Sequence, residues 1–217
     1  MGILTLSISP DYASKDSVNV ISHDNDNKNT ENISPTNSLI ATTAPLPVYA
    51  FENECDSEIK KLLNRYYSAK INSDVKTIQS LLTDPTQVGS KESLKKDIMF
   101  IEEYRNIKCY MKKSFKENEY VVFVYNDIKF FNIKTPAPAI DEFYIVKDQT
   151  GKYKIFSGEF DVQTKEYYHN RLQDEDVAKL INQTNDKGEK ARKKDKNLKA
   201  FWDKYTAGNN SQKSSNS

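Results

Sequence analysis

Hydrophobic and polar positions divide this chain into stretches with different periods. Residues 1–50 have none: HDNDNKNTENISPTNS carries a single large apolar residue, Ile33. Such a segment buries too little surface to offset its ordering entropy, and it reads as a disordered tether. TTAPLPVYAF follows, with Pro45 and Pro47 favouring an extended connector. From Asn53 the period becomes helical. Cys55, Ile59, Leu62, Leu63 and Tyr66 fall on one face, with the Lys70 stem at its edge. INSD interrupts the pattern, and Ser73 is the expected N-cap of a second helix carrying Val75, Ile78 and Leu82. Asp84-Pro85 ends that helix. Ser90 caps a third, with Leu94, Ile98 and Ile101 along one side.

After Tyr104 the period falls to two. Ile107, Cys109 and Met111 alternate with Lys108, Tyr110 and Lys112, which predicts a half-buried strand. EYVVFVYNDIKFFNI predicts a long second strand, DEFYIVKD a third and YKIFSGEF a fourth, with a hairpin turn at Gly151. KTPAPA is a loop, because proline cannot donate to a ladder. Helical spacing returns at Val177, Leu180 and Ile181, with a weak point at NQTNDKG, and again at Leu198, Phe201, Trp202 and Tyr205. Helices followed by an antiparallel meander make an α+β fold, not a βαβ one. The expected organisation is a tether over 1–50, an α+β domain over 51–160, a helical segment over 161–207 and a disordered tail over 208–217.

The long second strand adds a constraint. Val122, Val124, Ile128 and Phe130 make one side apolar, and Val121, Phe123, Tyr125 and Phe131 the other. Such a strand needs cover on both faces. The N-terminal helices supply one cover. The C-terminal helix or a second copy of the chain must supply the other.

Charge excludes several classes. With 32 basic and 31 acidic residues the chain has no global field pointing to nucleic acid or membrane. It has neither a recognition-helix pattern nor paired RNA-stacking aromatics. Its 6 glycines form no phosphate loop, and HExxH and GxSxG motifs are absent, so no cofactor or metal is expected. DKGEKARKKDKNLK mixes seven basic with three acidic residues, which reads as a solvated helix face, with a phospholipid or anionic-polymer contact as the alternative. MGILTLSIS fails as a signal peptide, and Leu6 stands where myristoylation needs Ser or Thr. Any membrane attachment is therefore expected to come from an anchor absent from this sequence. Cys55 and Cys109 are too few for a zinc site. Two buried thiols are the plainer expectation, and one bridge, which requires an oxidising compartment, is the alternative.

LLNRYYSAKINSDVKTIQSLL, a third helix, YVVFVYNDIKFFNIKTPAPAIDEFYIV and the GKYKIFSG hairpin together resemble the nuclear transport factor 2-like superfamily, with its cystatin-like fold. More narrowly they resemble uncharacterised bacterial members held at the cell surface by an N-terminal membrane helix. The resemblance covers residues 54–160, and more loosely the tail EDVAKLINQTNDKGEKARKKDKNLKAFW; YYSAK-x3-D and TPAPA are its most specific parts. It implies three helices packed on a bent four-stranded sheet that wraps the first helix as a cone. It also implies an extracellular or surface location, with a cytoplasmic one as the alternative. It names a fold and not a chemistry, since the superfamily hosts isomerases, dehydratases and binding modules alike.

Enzymes of that superfamily place a polar constellation, often Asp, His and Tyr, deep in the cone. His23 lies in the tether and His169 beyond the last strand, and both read as solvated. Asp127 interrupts an apolar strand and is the candidate base, although Lys129 beside it also suits a strand end entering solvent. Asp141 and Glu142 sit beside a loop, where acids are unremarkable. Of 13 tyrosines, Tyr66, Tyr67, Tyr110, Tyr125 and Tyr144 are placed to put hydroxyls around a cavity or to fill a core. The candidate pocket is Tyr66, Tyr110, Asp127 and Tyr144, with Asp127, Tyr110 and Tyr144 as the candidate catalytic groups. Three functions follow. The first is a non-catalytic interaction module at the bacterial surface, binding an unidentified protein or a small hydrophobic ligand. The second is an isomerase- or dehydratase-type enzyme. The third is a module that homodimerises through the outer sheet face.

Overall fold

The computed structural model describes residues 45–214, with side chains through residue 205. Residues 1–44 of the expected tether, with His23, and the side chains of the expected tail lie outside the described residues.

Helix α1, Ser57–Ile71, is capped by Asp56, whose carboxylate accepts from the Glu58 amide at 2.7 Å. Its stripe of Ile59, Leu62, Leu63, Tyr66 and Tyr67 is buried. Ser73 does not cap α2. It takes φ +49° just beyond α1, a left-handed conformation that ends the first helix. Asp74 caps α2, Val75–Leu81, by accepting from Thr77 N at 3.1 Å. A one-turn 3-10 helix at Pro85–Gln87 leads to α3, Lys91–Ile98, which Ser90 caps as its sequence predicts.

The sheet is a four-stranded antiparallel meander in the order β1-β2-β3-β4. Its strands are β1 Ile101–Lys113, β2 Glu119–Phe130, β3 Ala137–Lys147 and β4 Tyr153–Ile155. β1 begins well before the alternating stretch, so Ile101 is its first residue and not part of α3. Register shifts between Ile101 and Glu103 and between Arg105 and Lys108, with Asn106 at φ +52°, break the two-residue period in its first half. β4 keeps only three residues of the predicted YKIFSGEF.

The inner face carries Cys109, Met111, Val122, Val124, Phe143, Ile145 and Ile155 against α1 and α2. The outer face is covered within the same chain. α4, Val162–Leu172, and α5, Glu175–Lys194, bring Tyr167 and Val177 onto Val121, Phe123, Ile140 and Tyr144. These helices occupy the surface that a homodimer was expected to use. Residues 45–50, the described end of the expected tether, contribute as well. Leu46 packs on the outer cluster beside the adjoining Phe51, and the Pro47 carbonyl accepts from the Tyr167 hydroxyl at 3.1 Å.

α4 falls within the expected helical segment over 161–207, but its stripe is not legible, because its buried residues are Thr164, Tyr167 and Arg171, without an aliphatic one. α5 runs unbroken through NQTNDKG, because Thr184 and Gly188 face inward. A Cβ built on Gly188 would meet Pro138 Cγ of β3 at 3.9 Å, an ordinary contact, so α5 packs on β3 here. α6, Lys196–Ser214, closes one end of the sheet with Leu198, Phe201 and Trp202 against Ile98, Ile101, Ile128 and Phe130. Asp195 separates α5 from α6 and caps the latter through Asn197 N at 2.9 Å.

Cys55 and Cys109 form a disulfide. The expectation of two thiols is corrected. The residue before the α1 cap and the middle of β1 lie beside each other, a proximity that only the fold creates.

Candidate functional site

Strand parity decides which polar residues meet α1. On β2 the inner register is Val122, Val124, Asn126 and Ile128, and on β3 it is Ala139, Asp141, Phe143 and Ile145. Asn126 and Asp141 are therefore the polar residues set among inward apolar ones. Helix α1 presents Tyr66, Tyr67 and Lys70 to the same space, with Lys70 one turn beyond Tyr66.

These groups form one buried cluster. The Tyr67 hydroxyl donates to Asp141 Oδ2 at 2.6 Å, and Asn126 Nδ2 donates to the same oxygen at 2.8 Å. Asn126 Nδ2 also lies 3.4 Å from the Tyr67 hydroxyl. Lys70 Nζ sits over two rings, 5.8 Å from Tyr66 and 5.6 Å from Tyr104. Asn126 is 0 %, Lys70 1 % and Asp141 2 % exposed, so water does not supply the missing solvation. Two buried polar atoms of the cluster, Tyr104 Oη and Asn126 Oδ1, have no hydrogen-bond partner among the described residues.

The electrostatics follow from burial. Desolvation, and next the Asp141 carboxylate, push the hydroxyls of Tyr66, Tyr67 and Tyr104 well above the ordinary phenol range. Desolvation pulls the Lys70 ammonium down, against the opposing pull of Asp141 and Asp97. The three phenols are held neutral, and Tyr67 among them donates to Asp141. Lys70 is the group whose proton is most loosened. A carboxylate with two donors on one oxygen, a neighbouring amine and phenols is a proton-handling set in its chemistry, enclosed by Tyr66, Tyr67 and Phe143 rings packed edge to face and a tilted Tyr104 ring.

The residues singled out from sequence do not assemble. Of the four candidate pocket residues Tyr66 alone belongs to this cluster, and of the wider tyrosine set Tyr67 joins it. Asp127 points to the outer side, where it accepts from the Tyr125 hydroxyl at 2.7 Å and from Asn106 Nδ2 at 2.6 Å. Tyr110 is also outside, stacked on Phe51 with ring centroids 5.6 Å apart. Tyr144 packs outside against Phe160, donates to Glu119 and shares a 2.7 Å hydrogen bond with Ser114. His169 is exposed on α4. Lys129 reaches Glu102 at 2.9 Å.

A second buried charge lies on the outer side. Lys112, only 2 % exposed, holds Asp174 at 2.6 Å and Asp176 at 2.7 Å, tying β1 to the start of α5. Arg171 Nε lies 2.8 Å from the same Asp174 oxygen and stacks over Tyr167. The arrangement is a clamp between layers, with its acids at a helix N-terminus, where the dipole also favours them.

Asn126, Asp141 and Lys70 are the site residues that sequence reasoning passed over. The usable signal was parity: Asn126 and Asp141 each fall at an alternate position of an apolar run. Lys70 falls on the buried stripe of α1. No family model matches the chain, and neither a curated protein nor a solved structure matches it.

Proposed function

We propose that this protein is a non-catalytic interaction module of nuclear transport factor 2-like architecture that works outside the reducing cytoplasm. The observation that carries the reading is the Cys55–Cys109 disulfide, since such bridges persist in oxidising compartments. Three helices, a four-stranded meander and α1 laid along the inner face support the architecture. The burial of Asp141 supports a structural role for the polar cluster. A base must reach its substrate, and this one is 2 % exposed behind a layer of rings.

One observation favours a second reading, an isomerase-type enzyme whose base is Asp141 and not Asp127. Tyr104 Oη and Asn126 Oδ1 are buried beside that acid without partners among the described residues, as groups awaiting a polar ligand would be.

Two measurements test these readings. Maleimide trapping in the native cell should find both cysteines protected until a reductant is added. Free thiols in intact cells would overturn the compartment. Carbodiimide coupling of the folded chain, read by peptide mass, should leave Asp141 unlabelled while exposed carboxylates such as Glu54 react. Rapid labelling of Asp141 would replace the module with the enzyme.

A further inference from the structure

We propose that the end of the sheet where α3 meets β1 docks on the surface of an anionic lipid bilayer. Met99, Phe100 and Phe131 are 58 %, 46 % and 54 % exposed there, although each is a large apolar side chain. They form one patch, because Phe131 N donates to the Phe100 carbonyl at 3.1 Å across the end of the β1–β2 ladder. The patch has a firm base. The Phe100 ring lies 5.6 Å from Phe201, which rests on Phe130 at 4.5 Å within the cluster that α6 closes.

Positive charge surrounds these rings. Lys95 and Lys96 occupy the last turn of α3, immediately before Met99. Lys134 follows Phe131 in the β2–β3 loop. Thr135 N donates to Asp195 Oδ2 at 3.1 Å, which brings the α5–α6 corner with exposed Lys194 and Lys196 beside that loop. The acids at this end are fewer. Asp195 is engaged by backbone amides, Glu102 by Lys129 and Glu103 by Arg105, leaving Asp97 exposed at the end of α3.

Apolar tips within a basic ring match a bilayer interface, where rings enter the headgroup boundary and lysines meet anionic lipid. Shape favours a bilayer over a folded acidic protein. The rings sit on two chain turns, the second made by Asn132 at φ +61°, and so project as knobs. Knobs need no matching groove in a deformable surface. The inference rests on the interaction-module reading but not on its compartment, so thiol trapping and lipid binding fail independently.

The test is sedimentation of the full chain with phosphatidylcholine vesicles, with and without phosphatidylglycerol. Binding should require the anionic lipid, weaken with salt, and fall by roughly tenfold or more in Lys134→Glu/Lys194→Glu and in Phe100→Ser/Phe131→Ser. No binding to anionic vesicles overturns the proposal, as does binding that the Phe100→Ser/Phe131→Ser change leaves intact. Concentration-dependent self-association that the same change abolishes would assign the patch to a second copy instead. Amide exchange on the unaltered chain gives a readout independent of variant folding. Residues 99–101 and 130–134 should exchange more slowly with vesicles present, and unchanged exchange there overturns the assignment.

Discussion

Cys55 and Cys109 lie with Cα atoms 5.4 Å apart although 54 positions separate them in the chain. Their bond encloses α1, α2, α3 and β1 as far as Cys109 in one covalent loop. Closing a loop of that length restricts the unfolded chain by about 4 kcal/mol. Cys55→Ala/Cys109→Ala should therefore lose about 4 kcal/mol in urea unfolding. A loss below about 1 kcal/mol would show that native strain or residual unfolded structure cancels the constraint.

Tyr67→Phe removes one of two donors to a carboxylate that water does not reach. The expected cost is about 1–3 kcal/mol, larger than for an exposed tyrosine, because Asp141 is left under-satisfied. A cycle with Asp141→Asn should show coupling between the positions. Additive losses would mean that the hydroxyl and the carboxylate act independently.

Lys112→Met leaves Asp176 without its cation and Asp174 with Arg171 alone. Breaking a buried pair from one side is costly, but Asp176 is 40 % exposed and can rehydrate, so about 2–3 kcal/mol is expected. The loss should be localised. Hydrogen exchange should quicken in α4 and α5 before it quickens in α1, and uniform quickening would contradict the clamp.

Glu142 gives a pH signature. Burial, and next the Asp141 carboxylate, raise its pKa above the ordinary glutamate value. The folded state therefore holds this proton more tightly than the unfolded chain does, so ionised Glu142 lowers stability above its folded pKa. That cost disappears as pH falls below the unfolded value. Glu142→Gln should raise the melting temperature at pH 7, and the advantage should fade toward pH 4. An advantage independent of pH would point to packing instead of charge.

Much of the architecture was legible because its residues obey a period. α1 carries an aliphatic and aromatic stripe, and β2 and β3 are dense in β-branched and aromatic residues. The buried stripe of α4 was hidden within the expected helical segment because Thr164, Tyr167 and Arg171 do not look like a core, and the bulges around Asn106 hid the start of β1. The candidate site was obscured by the same property that made β2 conspicuous. With both faces apolar, alternation does not tell which face meets α1, and Asp127 and Asn126 differ only in parity. Local sequence also does not bring Cys55 to Cys109, because their proximity depends on how α1 lies along the sheet.

The covering of the outer face redefines the smallest piece of this chain able to stand alone. Composition places a natural cut after residue 160, where the last strand is spent. A chain severed there would strip α4 and α5 from Val121, Phe123 and Ile140, which are now at most 1 % exposed, and would remove both acids that Lys112 holds. The sheet would become a sticky half-shell with an orphaned ammonium. The folding unit is thus a three-layer laminate in which the polar-looking C-terminal helices are structural, and a fragment that ends at the meander would present a bare apolar sheet face.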